Sequence, residues 1–203
     1  MSKPHFALSK NRLEALADGI FAIAMTLLVL EIRVPELAKP VSPGELGAAL
    51  AHEIPVFMGF LITFILASFF WFFHHATFRH FHTLRPAMTA VNLGFLMFVS
   101  LLPFSTGLLS RFLQNPTAQA FYFSNQLALG ILLAVHWTMV RAQAREAAPS
   151  AEERDQLHKL NRIYFFPPAY AVALVMAFIA PQWSFVALMF AFLVGRVAHR
   201  KLA

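Results

Sequence analysis

Residues 12–31 read RLEALADGIFAIAMTLLVLE. At a rise of about 1.5 Å per residue this run is long enough to cross the roughly 30 Å hydrocarbon core of a bilayer as one helix. Turned at about 100° per residue, Gly19, Ile23, Leu27 and Leu30 fall on one narrow face, and Glu14, Asp18, Phe21 and Met25 fall on the opposite one. One side is hydrocarbon and the other carries carboxylates. A charge inside a crossing helix costs several kcal/mol unless it faces protein or water, so Asp18 is expected to point into its own subunit. The apolar stripe is left to meet lipid, a neighbouring helix or the axis of an oligomer.

The composition around this stretch is that of an integral membrane protein. Of the 203 residues, 59% are hydrophobic and 13% charged, against about 25% charged in a typical soluble domain, and the mean hydropathy is +0.62. There is no cysteine, which excludes disulfides, thiolate metal sites and cysteine nucleophiles. The opening MSKPHFALSKNR is short and basic, lacks a small-residue cleavage site and reads as retained. The formal charge of +6 is scattered among the loops, a distribution that sets membrane orientation and does not point to nucleic acid.

Six apolar segments follow one another at approximately 13–31, 54–78, 87–110, 119–141, 162–181 and 183–199, each near the roughly 20 residues of a crossing. They predict an all-α protein of six transmembrane helices in a single domain, 1–203. The first connection contains Pro35, Pro40, Pro43 and Gly44 and resumes with an amphipathic turn near Leu46 to His52. Only Pro181 and Gln182 separate the last two segments, which predicts a tight hairpin with Trp183 at the interface; merging them into one bent element, for five spans, is the alternative. Lys3, Lys10 and Arg12, then Arg79 and Arg85, then Arg141, Arg145, Arg154, Lys159 and Arg162, and finally Arg196, Arg200 and Lys201 fall on one side. Arg33, Lys39 and Arg111 fall on the other, which puts both termini in the cytoplasm of a multi-pass plasma-membrane protein. The polar stretch after the fourth segment, with Pro149 and Ser150 before AEERDQLHKL, reads as a capped, solvated helix extension.

The second segment ends WFFHHATFRHFH, with Trp71, His74, His75, His80 and His82. Neighbouring imidazoles can hold zinc or copper, but no carboxylate or thiol accompanies these at a ligand spacing. His74 and His75 also point about 100° apart on a helix, so no metal site is expected. His80 and His82 suit the interface. In the third segment Pro103 removes a backbone hydrogen bond and should kink the helix, with Ser100 or Ser105 available for the freed carbonyls. Asn92 reads as a helix-packing residue.

The first helix resembles the signature of the transmembrane protein 175 family of potassium channels, close to R-x-x-x-F-S-D-G, then A-I-x-x-T-L and a terminal L-E. Arg12, Asp18, Gly19, Ala22, Ile23, Thr26, Leu27, Leu30 and Glu31 stand in register, while Leu16 and Ala17 replace the usual Phe and Ser. A W-x-x-H-H-like element and an N-L-x-F-L…P-F-S/T pattern are similar to the family's second and third helices. The resemblance implies a homotetramer whose first helices line a potassium-selective pore, with Ile23 as the constriction, Leu27 and Leu30 as further apolar rings, and Thr26 beside them. It also implies that Asp18, with Arg12 and Gly19, is anchored by Trp71, His74 or His75, which fixes the rotation of the pore helix. The expected partners are other copies of the chain, the bilayer and permeant K+, with no cofactor. Glu31 and Glu36 either concentrate cations at the outer mouth or are ordinary interfacial charges.

The competing class is a small secondary transporter, another polytopic protein without a pore, or a membrane-embedded enzyme. Segments three to six carry no Asp, Glu, Lys or Arg at mid-helix, where a proton-coupled transporter places its ionisable groups. His136 is the exception and reads as packing. No nucleophile–base pair, ligand set or phosphate loop points to an enzyme.

Overall fold

A computed structural model describes residues 9–80, 85–146 and 150–202; Lys3, His82 and Pro149, which enter the readings above, lie outside them. The described residues form α-helices joined by short 3₁₀ turns, with no strand among them. Helix α1, Lys10–Leu27, runs into a 3₁₀ turn, Leu28–Glu31, and α2 is the short Pro43–His52. Helix α3 is Ile54–Arg79, α4 is Pro86–Ser100, α5 is Leu102–Arg111 and α6 is Pro116–Glu146. Helix α7, Ala151–Leu160, passes through a 3₁₀ turn into α8, Phe166–Ile179, and after the turn Pro181–Trp183 comes α9, Ser184–Leu202.

Five stretches are long and apolar enough to cross a membrane: Lys10–Glu31, Ile54–Arg79, Pro86–Arg111, Pro116–Glu146 and Ala151–Ile179. A shorter apolar helix, Pro181–Gly195, follows them. The fifth stretch begins earlier than its apolar run because the polar α7 is propagated by its own cap. Ser150 accepts the Glu153 amide at 3.2 Å while the Glu153 carboxylate accepts the Ser150 amide at 2.8 Å, satisfying two otherwise unpaired donors. The same device starts α2, between Ser42 and Glu45.

The third crossing breaks where proline demands it. Helix α4 stops at Ser100, Leu101 bridges, and Pro103 sits in the first turn of α5, where its missing N–H costs nothing. The serines do not serve the freed carbonyl as expected. Ser100 donates to Leu96 and Ser105 to Leu102, each at 3.0 Å, while the Leu101 amide turns back to Phe98 and Val99. A tightened backbone turn reaches these carbonyls sooner than a hydroxyl one residue out of register.

The core is organised around α6, which packs against α8, α4, α5 and α3. Tyr122, Phe123, Leu129, Leu133, Trp137 and Val140 line it and are all buried. Ala169, Ala173 and Ala177 form a buried small-residue stripe on α8, and a Cβ at Gly130 would come within 3.1 Å of Phe166. Small side chains at such crossings let backbones approach, which is how helices gain packing in lipid. Thr63, Thr106 and Tyr122 join α3, α5 and α6 by hydroxyl contacts of 3.0 and 3.2 Å.

Two ends are distinguishable. At one, Lys10 donates to the Arg79 carbonyl at 3.4 Å, Arg85 meets Glu146 at 3.7 Å, and Trp137 donates to Asn161 at 3.1 Å. At the other, the Gln119 amide donates to the carbonyls of Leu113, at 2.7 Å, and Pro181, at 3.0 Å, tying the α5–α6 connection to the α8–α9 turn. The end of α3, the start of α4 and the end of α6 therefore share an end with the start of α1.

Candidate functional site

Helix α1 docks on the bundle by one narrow stripe. Leu13, Ala17, Phe21, Ala24 and Leu28 are buried, spaced by three or four residues, and they meet α3, α4 and α5. No described residue covers the other side. Ile23 is 61% exposed, Leu27 42% and Leu30 68%, and a methyl group at Gly19 would find no heavy atom within 4 Å. Gly19 is thus not held by packing inside the subunit. The hydroxyl of Thr26 lies 2.9 Å from the Ala22 carbonyl and 2.8 Å from that of Ile23. It satisfies itself on its own helix while its side chain stays on the uncovered face.

One flank of α1 meets α3 through Asp18. The indole Nε1 of Trp71 on α3 donates to Asp18 Oδ1 at 2.8 Å, and the Trp71 ring stacks on His75, with centroids 5.7 Å apart. Asp18 is not turned into the core as expected. It is exposed, roughly 100° around the helix from the centre of the buried stripe, and reaches its own subunit through Trp71; Phe21 takes the inward position. The Arg12 side chain is also exposed, and no bond joins it to Asp18.

His74 does different work from His75. It is buried, with Nε2 2.8 Å from Asn92 Oδ1 on α4. Its ring lies parallel to Phe95 at 5.0 Å and within 6.2 Å of Phe21. The pair His74–Asn92 therefore builds the floor on which Phe21 of α1 rests, and His136 meets that floor edge-on at 5.8 Å from His74. Adjacent residues on α3 split between core and flank because they point about 100° apart.

A further contact lay beyond the sequence reading. Arg111 on α5 pairs with Glu31 at 3.3 Å, and the Glu31 carboxylate rests directly over Gly107, where any Cβ would collide with it. This fastens the end of the first crossing to α5. The charge of Glu31 is taken up by Arg111, which the sequence placed only on the same side of the membrane as Arg33 and Lys39. The signal was the glycine in LPFSTGLLSR, a position with no side chain facing a helix end.

These features define a polytopic all-helical membrane protein whose first helix presents an apolar face that the described residues leave uncovered and is joined to α3 by an acid–indole bond. The family described as endosomal/lysosomal potassium channel TMEM175 matches over residues 12–103. A potassium channel of Chamaesiphon minutus is 34% identical, over 84% of this chain and 85% of that one. A potassium channel of Streptomyces collinus is 33% identical, over 70% and 71%. The crystal structure of a lysosomal potassium-selective channel TMEM175 homolog from Chamaesiphon minutus superposes with a TM-score of 0.76 at 30% identity, covering 94% of this chain and 97% of that one. The chain belongs to the TMEM175 family, a family of ion channels and not of enzymes.

Proposed function

We propose that the chain is a potassium-selective, leak-type cation channel of the plasma membrane, crossing it six times with both termini in the cytoplasm and assembling as a homotetramer. Four α1 helices surround an axis, with Ile23 at the constriction, Leu27 and Leu30 as further apolar rings, and Thr26 beside them. Asp18 and Trp71 set the rotation that aims Ile23 at the axis, His74 and His75 support them from α3, and Arg12 and Gly19 act at contacts between copies.

The observation that carries this reading is the uncovered face of α1, where Ile23 and Leu30 are more than half exposed on a helix apolar enough to cross a membrane. A ring of branched aliphatic side chains closes a pore by expelling water and conducts when a small widening rehydrates it. No T-V-G-Y-G filter is present, so selection rests on dehydration at the ring, which costs less for K+ than for the smaller Na+.

The test is a reversal potential in planar bilayers containing purified protein, with KCl on one side and NaCl on the other. Wild-type protein should reverse towards the potassium equilibrium potential, and Ile23→Asn should move the reversal potential towards zero. Unchanged selectivity in Ile23→Asn would remove Ile23 from the pore.

A further inference from the structure

Away from α1, where α3 meets α7 and the start of α8, two hollows run into one another. One, of about 330 Å³, is apolar and largely aromatic: Leu66, Phe69 and Phe73 of α3 face Phe166 of α8 and Phe192 of α9 across it. The other, of about 310 Å³, gathers Arg79 from the end of α3, Lys159 from α7 and Arg162 from the turn before α8. Phe73 and Arg162 line both, so the basic hollow opens into the aromatic one.

We propose that this junction binds an anionic membrane lipid, its phosphate held by Arg79, Lys159 and Arg162 and an acyl chain lying along Phe69 and Phe73. Among the described residues, no carboxylate lines either hollow. Asp155 pairs with Lys159 at 2.6 Å, but both side chains are about two-thirds exposed, at 67% and 64%, and such a pair is worth little in water. Both guanidinium forks remain for a phosphate, the geometry arginine recognises best.

Depth and shape choose the lipid over a free anion. Arg79 closes α3 and Arg162 stands four residues before α8, so the charges sit where two crossing helices end, at headgroup level. Basic pockets between helices at that level recognise acidic lipid headgroups. A soluble phosphate would fill the basic hollow and leave the aromatic one empty. The groove opens on the outer side of α3, where Phe69 is 51% exposed, and no α1 residue lines it. A second basic hollow, of about 410 Å³ around Arg141, Arg145 and Arg154, has no aromatic groove beneath it and serves as the comparison.

The experiment uses the full chain, delipidated in detergent and titrated with dioleoyl-phosphatidylglycerol, with binding counted by native mass spectrometry. Dioleoyl-phosphatidylcholine, glycerophosphoglycerol and inorganic phosphate are run in parallel. Phosphatidylglycerol should bind most tightly and Arg79→Gln/Arg162→Gln should weaken it by about thirty-fold, with Arg145→Gln close to wild type. Leu66→Trp, which keeps every charge and fills the groove, should also weaken it. Equal binding of the two lipids, binding of phosphate or free headgroup as tight as that of phosphatidylglycerol, or no loss in both the double variant and Leu66→Trp overturns the proposal. So does cross-linking that places a second copy of the chain against Phe69.

Discussion

The indole Nε1 of Trp71 and the carboxylate of Asp18 are joined across 2.8 Å, linking the flank of α1 to α3 between the buried Ala17 and Phe21. Because Asp18 is exposed, this bond is worth about 0.5–1.5 kcal/mol, below the value for a buried charged group. It is also directional, as the proposed role in setting the angle of α1 on the bundle requires. Trp71→Phe keeps most of the ring packing and removes the donor. Thermal unfolding in detergent should drop by that amount, with the current reduced or lost. Asp18→Asn, which retains an acceptor, should fall between wild type and Asp18→Ala, which should abolish current or assembly.

The floor beneath Phe21 answers to a different pair. Asn92→Leu leaves the buried His74 nitrogen without its partner, a loss of about 1–3 kcal/mol. His74→Phe/Asn92→Leu removes both polar groups and should recover most of it. Equal destabilisation of the single and double variants in thermal unfolding would mean the two residues are not coupled.

Two glycines should separate folding from assembly. At Gly107 an added methyl would strike the Glu31 carboxylate and part it from Arg111, so Gly107→Ala should lower the unfolding temperature, with overpacking of this kind costing about 1–3 kcal/mol. At Gly19 the methyl meets open space within the chain. Gly19→Ala should leave the folding of the single chain intact and show its effect, if α1 faces meet between copies, in oligomer stability measured by cross-linking.

Acid should fray α2 before the bundle. The Ser42 backbone amide and hydroxyl hold the Glu45 carboxyl below its ordinary value of 4.5. A depressed carboxylate stabilises the fold above its unfolded pKa, and that contribution is lost as pH falls through the folded value. Amide exchange in the first turn of α2 should therefore rise only below about pH 4.5. In Ser42→Ala the exchange should be faster already at neutral pH, with a weaker acid dependence.

How much of this was readable in the chain depends on the range of the interaction. Which residues share the uncovered face of α1 follows from helical period alone, because Gly19, Ile23, Leu27 and Leu30 recur every three or four positions; what that face meets does not. The break at Leu101 followed from Pro103, but the partners of Ser100 and Ser105 depended on how the backbone relaxed. Among Trp71, His74 and His75, period separates His74 from the other two, yet nothing local says that Asn92 awaits it. Glu31 and Arg111 are 80 residues apart, and only the folded bundle brings them together. The polar α7 was legible from Ser150 and the acidic first turn behind it, and its capping box confirms that start; hydropathy alone registers only the apolar part of the fifth helical stretch.

Whether Ile23 forms the selective ring is decided by the reversal potential of purified wild-type and Ile23→Asn protein under opposed KCl and NaCl. Wild-type protein should reverse far from zero with the sign set by K+ flow, and the reversal should shift towards zero when the aliphatic ring becomes polar. Identical reversal potentials for the two proteins, or no current from wild-type protein that is demonstrably assembled in the bilayer, would contradict this reading.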